Sequence, residues 1–138
     1  MVEISCDLSL IDNTTGREFE TFMVELFEKL GYSTTITNRS KDHGCDMMLQ
    51  QGEHRIAVQA KRSESELNFT SVQRALDSLK KYHAQLAIVV TNNKFISSAK
   101  QLAKIKNVAL IDRKKLLDLI ELSNLPVNHK KDLISFST

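Results

Sequence analysis

The run Leu86-Ala87-Ile88-Val89-Val90 constrains the fold of this 138-residue chain more than any other stretch. Five consecutive apolar residues leave no face for water, which is the pattern of a strand in the middle of a sheet covered on both sides. The covering layers must come from neighbouring segments, and both flanks read as helix. Val72, Leu76 and Leu79 recur at helical spacing over residues 70–82. A further helix is expected near 96–105, then a strand over 108–111 and a helix over about 114–122 that stops before Pro126. Strands separated by such crossovers pair in parallel.

The amino-terminal half follows a different rhythm. Phe19, Phe22, Met23, Leu26, Phe27 and Leu30 form one apolar stripe at spacings of three and four, predicting a helix over 14–30. Thr14 or Thr15 can cap its start, and Gly31 suits the left-handed position past its end. Short β-type runs follow over 32–38, 45–50 and 54–61, the last two joined across Gln51-Gly52 as a hairpin. The expected architecture is α/β: a central mixed sheet flanked by helices in the order α-β-β-β-α-β-α-β-α. It is expected to be a single domain over 1–138, with its core at about 14–122 and a short tail at 123–138.

A 41% hydrophobic content is enough for one continuous core. The net charge of +2 neither demands nor excludes a polyanionic partner, so the placement of Lys and Arg matters more than their sum. Cys6 and Cys45 are too few for a disulfide framework and lack structural-zinc spacing. A zinc set of His43, Cys45 and His54 fails because the two strand residues belong to the apolar face. Residues 1–10 lack the basic and apolar order of a signal peptide, and no run approaches ~20 apolar residues. A cytoplasmic protein with no membrane partner is expected.

The hairpin carries the chemistry. Alternation sets His54, Ile56, Val58 and Ala60 on a core face shared with Cys45, Met47 and Leu49. Arg55, Ala57, Gln59 and Lys61 share the other side with Asp46. Closing the hairpin with an even loop, of residues 51–52 or 50–53, sets Asp46 opposite Ala57 with Gln59 as its diagonal neighbour. A carboxylate, an amide oxygen and an ammonium would then converge at the sheet edge. Mg²⁺, or Mn²⁺ in its place, takes such oxygen ligands and keeps waters that can attack a phosphodiester. Lys61 would position that water. Arg39, Lys41, His43, Arg55 and Arg62 are the candidate DNA contacts around the site, whereas Arg113 reads as part of a solvated helix face.

Three segments carry a family resemblance: Gly16-Arg17-Glu18-Phe19-Glu20, Ser40-Lys41-Asp42-His43-Gly44-Cys45-Asp46, and Val58-Gln59-Ala60-Lys61-Arg62. Together they resemble the Mrr-type branch of the PD-(D/E)xK nuclease superfamily, in which Gln replaces the usual Glu of the last motif. The likeness continues through Ile88-Val89-Val90-Thr91 and Ala109-Leu110-Ile111-Asp112, covering about 14–122. It implies a restriction endonuclease-like fold and a Mg²⁺-dependent DNA endonuclease of restriction or defence. Asp46 would be the principal metal ligand, completed by Gln59 and the backbone carbonyl of Ala60. Lys61 would be the catalytic lysine, and Glu20 the helix-borne acid facing the same metal region. Relatives often carry a separate DNA-recognition domain, so a homodimer or an added recognition domain or subunit is an expected partner. Two other functions share the fold: a structure-selective resolvase of DNA junctions, and a catalytically silent DNA-binding or assembly module.

Overall fold

A computed structural model describes residues 8–37 and 45–125. A five-residue helix, α1 (Leu8–Asp12), precedes the long α2 (Gly16–Lys29). The latter begins on a capping box: the Glu18 N–H donates to Thr15 Oγ1 at 3.1 Å, and the Thr15 N–H donates to the Glu18 carboxylate at 2.8 Å. Two otherwise orphaned helix-start donors are thereby satisfied. Gly31 ends α2 at φ 105°, where a side chain would be strained.

Three strands follow, β1 (Ser33–Ile36), β2 (Met47–Gln51) and β3 (His54–Lys61). Then α3 (Phe69–Lys81), β4 (Leu86–Thr91), α4 (Ser97–Lys106), β5 (Val108–Ile111) and α5 (Arg113–Ser123) complete the order. The sheet runs β1-β2-β3-β4-β5, antiparallel from β1 to β3 and parallel from β3 to β5. Hairpins explain the first half and helical crossovers the second.

Both faces of β4 are buried, as its composition requires. Ile88 and Val90 pack into a core shared with Phe19, Met23 and Leu26 of α2 and Leu116 and Ile120 of α5. Ala87 and Val89 face a second core built from Val72 and Ala75 of α3 and Ala99 and Ala103 of α4. The central strand β3 is covered on both sides too, since Ala57 and Gln59 are buried alongside Ile56, Val58 and Ala60. The Arg55–Lys61 face is therefore open only at its ends, with Arg55 half-buried and Lys61 exposed. At the amino end of the strand, His54 is exposed rather than part of the core face.

The hairpin register differs from the expected one by two residues. Gln51 pairs with His54, so the loop is Gly52-Glu53, and Met47 pairs with Val58. Gly52 sits at φ 62° and Glu53 has no positive φ, the pattern of a type II′ turn. Parity is unchanged by a shift of two, so the paired residues of β2 and β3 keep their faces, but Ala57 now pairs with Met48 rather than standing opposite Asp46.

Candidate active site

Asp46 lies where β2 gives way to the preceding loop, and three contacts fix it. Its N–H donates to the Val58 carbonyl at 2.7 Å, and its carbonyl accepts from the Thr37 N–H at 3.1 Å. Its carboxylate accepts from the Ala60 N–H at 2.7 Å, taking the place of the next ladder bond. The backbone bends here, and strict alternation breaks. Cys45 turns to pack against Met48 and Ala57 instead of joining Met47 and Leu49 as expected. Burial pushes the Cys45 thiol up to about 11, so it is an inert packing group.

From α2, Glu20 brings a second carboxyl group within hydrogen-bonding reach of Asp46. The α2 stripe dictates this, because Glu20 follows the fully buried Phe19 and borders the buried edge of the helix. Burial pushes the Asp46 carboxyl above its ordinary range, opposed by the Ala60 N–H, then by Glu20, then by the positive charge of Lys61. Lys61 is exposed at the carboxyl end of β3, level with Thr91 of β4. Asp46, Glu20, Ala60 and Lys61 are thus brought together.

Gln59 occupies the remaining position. It lies on β3 between Val58, whose carbonyl accepts the Asp46 N–H, and Ala60, whose N–H donates to the Asp46 carboxylate. Gln59 is 7% exposed, and its Oε1 is buried with no hydrogen-bond partner among the described residues. A buried amide oxygen left unpaired costs roughly 1–3 kcal/mol, which a ligand would relieve. Ala60 contributes a further oxygen. In an extended strand the N–H and C=O of one residue point to the same neighbour, so its carbonyl is directed to the Asp46 side, past the end of β2.

This donor set fits a hard divalent cation: two apposed carboxyl groups, an unsatisfied amide oxygen and a backbone carbonyl, all oxygen. Among the described residues no three His, Cys, Asp or Glu side chains cluster as a metal site. Any ion held here therefore needs the neutral oxygens as well as the acids, and water for the rest of its coordination.

The proposed DNA contacts divide. Arg39, Lys41 and His43 lie outside the described residues. Arg55 is not brought to the site: it is the second residue of β3, roughly 20 Å from Lys61 at ~3.3 Å per residue. There its Nη2 donates to the Tyr82 carbonyl at the end of α3 at 2.9 Å. Arg62 does adjoin the site, donating to the Asp12 carbonyl at 3.0 Å and lying 3.6 Å from the Glu64 carboxylate.

Sequence reasoning missed a polar network beyond Lys61. Arg113, expected to be a solvated helix residue, donates through Nη1 to Asp12 Oδ1 at 2.7 Å and to the Asn92 carbonyl at 3.0 Å. Asn92, 3% exposed, donates to the same Asp12 oxygen at 3.0 Å and accepts from the Ser63 N–H at 2.7 Å. Polar Asn92-Asn93 directly after a doubly buried strand was the available signal, since α/β sheets bind ligands outside the carboxyl ends of their strands.

Comparison with known proteins agrees with this geometry. A restriction endonuclease family model, the Mrr catalytic domain, matches residues 11–120. No curated protein matches the chain. Among solved structures, the DNA modification-dependent restriction endonuclease AspBHI aligns with TM-score 0.66 and 16% identity, over 91% of this chain and 36% of its own. The MspJI restriction endonuclease, solved in complex with a 27-mer oligonucleotide, aligns at 0.62 and 20%, over 91% and 32%. AF1548, a protein of unknown function, aligns at 0.58 and 17%, over 67% and 55%. The chain thus spans about a third to a half of these proteins, which share the restriction endonuclease-like fold with it. With about four-fifths of its length matched, the chain belongs to the restriction endonuclease family of the Mrr catalytic domain.

Proposed function

We propose that the chain is a divalent-metal-dependent endonuclease that hydrolyses DNA phosphodiester bonds in restriction or defence, acting as a single domain in the cytoplasm. The observation that carries this reading is the pairing of Asp46 with Glu20, with the buried Oε1 of Gln59, unpartnered among the described residues, on the strand that bonds Asp46. Two carboxyl groups in contact are stable only with a proton or a cation between them. An orphaned acceptor beside them favours the cation. Asp46, Gln59 and the Ala60 carbonyl would hold Mg²⁺ or Mn²⁺, with Glu20 on the same or a second ion. The bound ion supplies neutralisation of charge on a non-bridging phosphate oxygen and a water of lowered pKa.

The protein's own groups do the rest. The Ala60 N–H locks the Asp46 carboxylate in one orientation, so no side-chain reorganisation is needed when the ion arrives. Lys61, exposed on the strand that carries Gln59, reaches the phosphate from solvent, where its ammonium orients the attacking water and offsets developing negative charge. Burial of Gln59 and Ala60 keeps bulk water from competing for their oxygens.

DNA as partner is supported by the family, and by an oligonucleotide bound to a protein of the same fold. Cleavage of both strands requires two active sites or two binding events, so pairing of two copies, or an added recognition domain or subunit, belongs to the same proposal. The test is plasmid and linear duplex cleavage in Mg²⁺ or Mn²⁺ by the wild type, Asp46→Ala and Lys61→Ala. Cleavage by the wild type, reduced more than ~100-fold in both folded variants, is expected. DNA binding without cleavage under every divalent ion would instead establish a silent module. Cleavage restricted to four-way junctions would reassign the enzyme as a resolvase.

A further inference from the structure

Where β3 and β4 end side by side, the chain opens a cleft of about 300 Å³ lined by residues from both strand ends, α1 and α5. Lys61 is level with Thr91, so the cleft begins one residue beyond the proposed catalytic lysine, at Arg62 and Asn92. We propose that it seats a DNA backbone phosphate neighbouring the one being cut, gripped by the outer edge of the Arg113 guanidinium and by Lys94. This rests on the nuclease reading and adds to it a binding position and two residues.

Among the described residues Arg113 uses only Nη1, in its bonds to Asp12 and the Asn92 carbonyl. A guanidinium has five N–H groups, and among the described residues Nε and Nη2 have no partner. The side chain is 38% exposed. Those two nitrogens form the parallel edge that matches two oxygens of a phosphate. Asp12 is itself pinned by Asn92, so the fork is oriented before any ligand arrives and little freedom is lost on binding.

Lys94, on the same cleft, is exposed and its ammonium has no partner among the described residues. Three cations, Arg62, Lys94 and Arg113, outweigh the carboxylates of Asp12 and Glu64. A cation ligand is therefore excluded, and a phosphodiester is preferred over a lone anion because the cleft continues from Lys61. Phosphates recur along each strand at ~3.4 Å of rise, so a strand with one phosphate at Lys61 that runs towards Arg62 carries a neighbouring phosphate over the cleft.

The test is duplex DNA binding by the full chain in EDTA, over a range of salt, for the wild type, Lys94→Ala and Arg113→Lys. Lys94→Ala should weaken binding about 5-fold and lower the salt slope by ~0.9, one phosphate contact. Arg113→Lys keeps the charge and can still hold Asp12, so its slope should stay unchanged while affinity falls about 5-fold from loss of the fork. Wild-type affinity in both variants overturns the proposal, and so does an absence of DNA binding by the wild type. Should Arg113→Lys melt early, Lys94→Ala decides alone. If the variants lose affinity but the wild type cuts nothing, the phosphate site stands and the catalytic reading falls. If cutting and binding both persist in the variants, the phosphate site alone is wrong.

Discussion

Asp46→Asn should make the metal-free protein more stable. Burial pushes the Asp46 carboxyl up, so the folded chain holds its proton more tightly than the unfolded one. A group shifted this way contributes stability below its ordinary value of 3.8 and loses it as pH rises through the folded value. Ionising the buried Asp46 carboxyl is therefore a net cost to the folded chain. Asparagine keeps an oxygen for the Ala60 N–H, which bonds Asp46 at 2.7 Å, and removes the charge. Relief of such functional strain typically gains ~0.5–2 kcal/mol. With an unfolding entropy of roughly 0.29 kcal/mol/K for a chain of this size, Tm should rise by about 2–7 °C. Thermal unfolding in EDTA measures it, and the gap should narrow towards pH 4 as the wild type takes up its proton. Mg²⁺ at ten times its Kd should then add ~1.4 kcal/mol to the wild type and nothing to the variant. A variant less stable than the wild type in EDTA, or one equally stabilised by Mg²⁺, would refute the reasoning.

Three further outcomes follow from other contacts. Gln59→Leu removes an unpaired buried acceptor, so stability should hold or rise by about 1 kcal/mol while Mn²⁺ affinity, read by calorimetry, falls at least 10-fold. Thr15→Ala breaks the capping box and should cost about 1 kcal/mol in urea unfolding without changing metal affinity. The Arg113 hydrogen bond chiefly holds the Asp12 carboxyl below its ordinary 3.8, so the stability it provides is present above that pH and lost as pH falls through the folded value. Being partly exposed, the pair should contribute under ~1 kcal/mol, and the Tm difference between wild type and Asp12→Asn should shrink as pH falls from 6 to 3.

Most of the architecture was legible because hydrophobic period changes sharply along the chain. The α2 stripe, the doubly apolar β4 and the strand–helix alternation of the second half each admit one packing, and the structure adopts it. The hairpin was legible only to parity. Hydrophobic faces exclude a one-residue slip but not a two-residue slip, and the positive φ of Gly52 selects the loop. Cys45 was misplaced because alternation stops where Asp46 bends out of the strand to reach the Ala60 N–H. The helix α1 is too short to show a period, and without it the Asp12–Arg113–Asn92 network had no visible third member. Arg55 illustrates the opposite error: a basic residue near the motif in sequence, but at the far end of an eight-residue strand.

The position of a bound ion is the most direct measurement. Anomalous diffraction from a crystal soaked in Mn²⁺ should place a peak about 2.0–2.3 Å from an Asp46 carboxylate oxygen, from Gln59 Oε1 and from the Ala60 carbonyl. No peak at saturating Mn²⁺, or one whose shell omits both Asp46 and Gln59, would contradict the assignment of these residues to a metal-dependent nuclease centre.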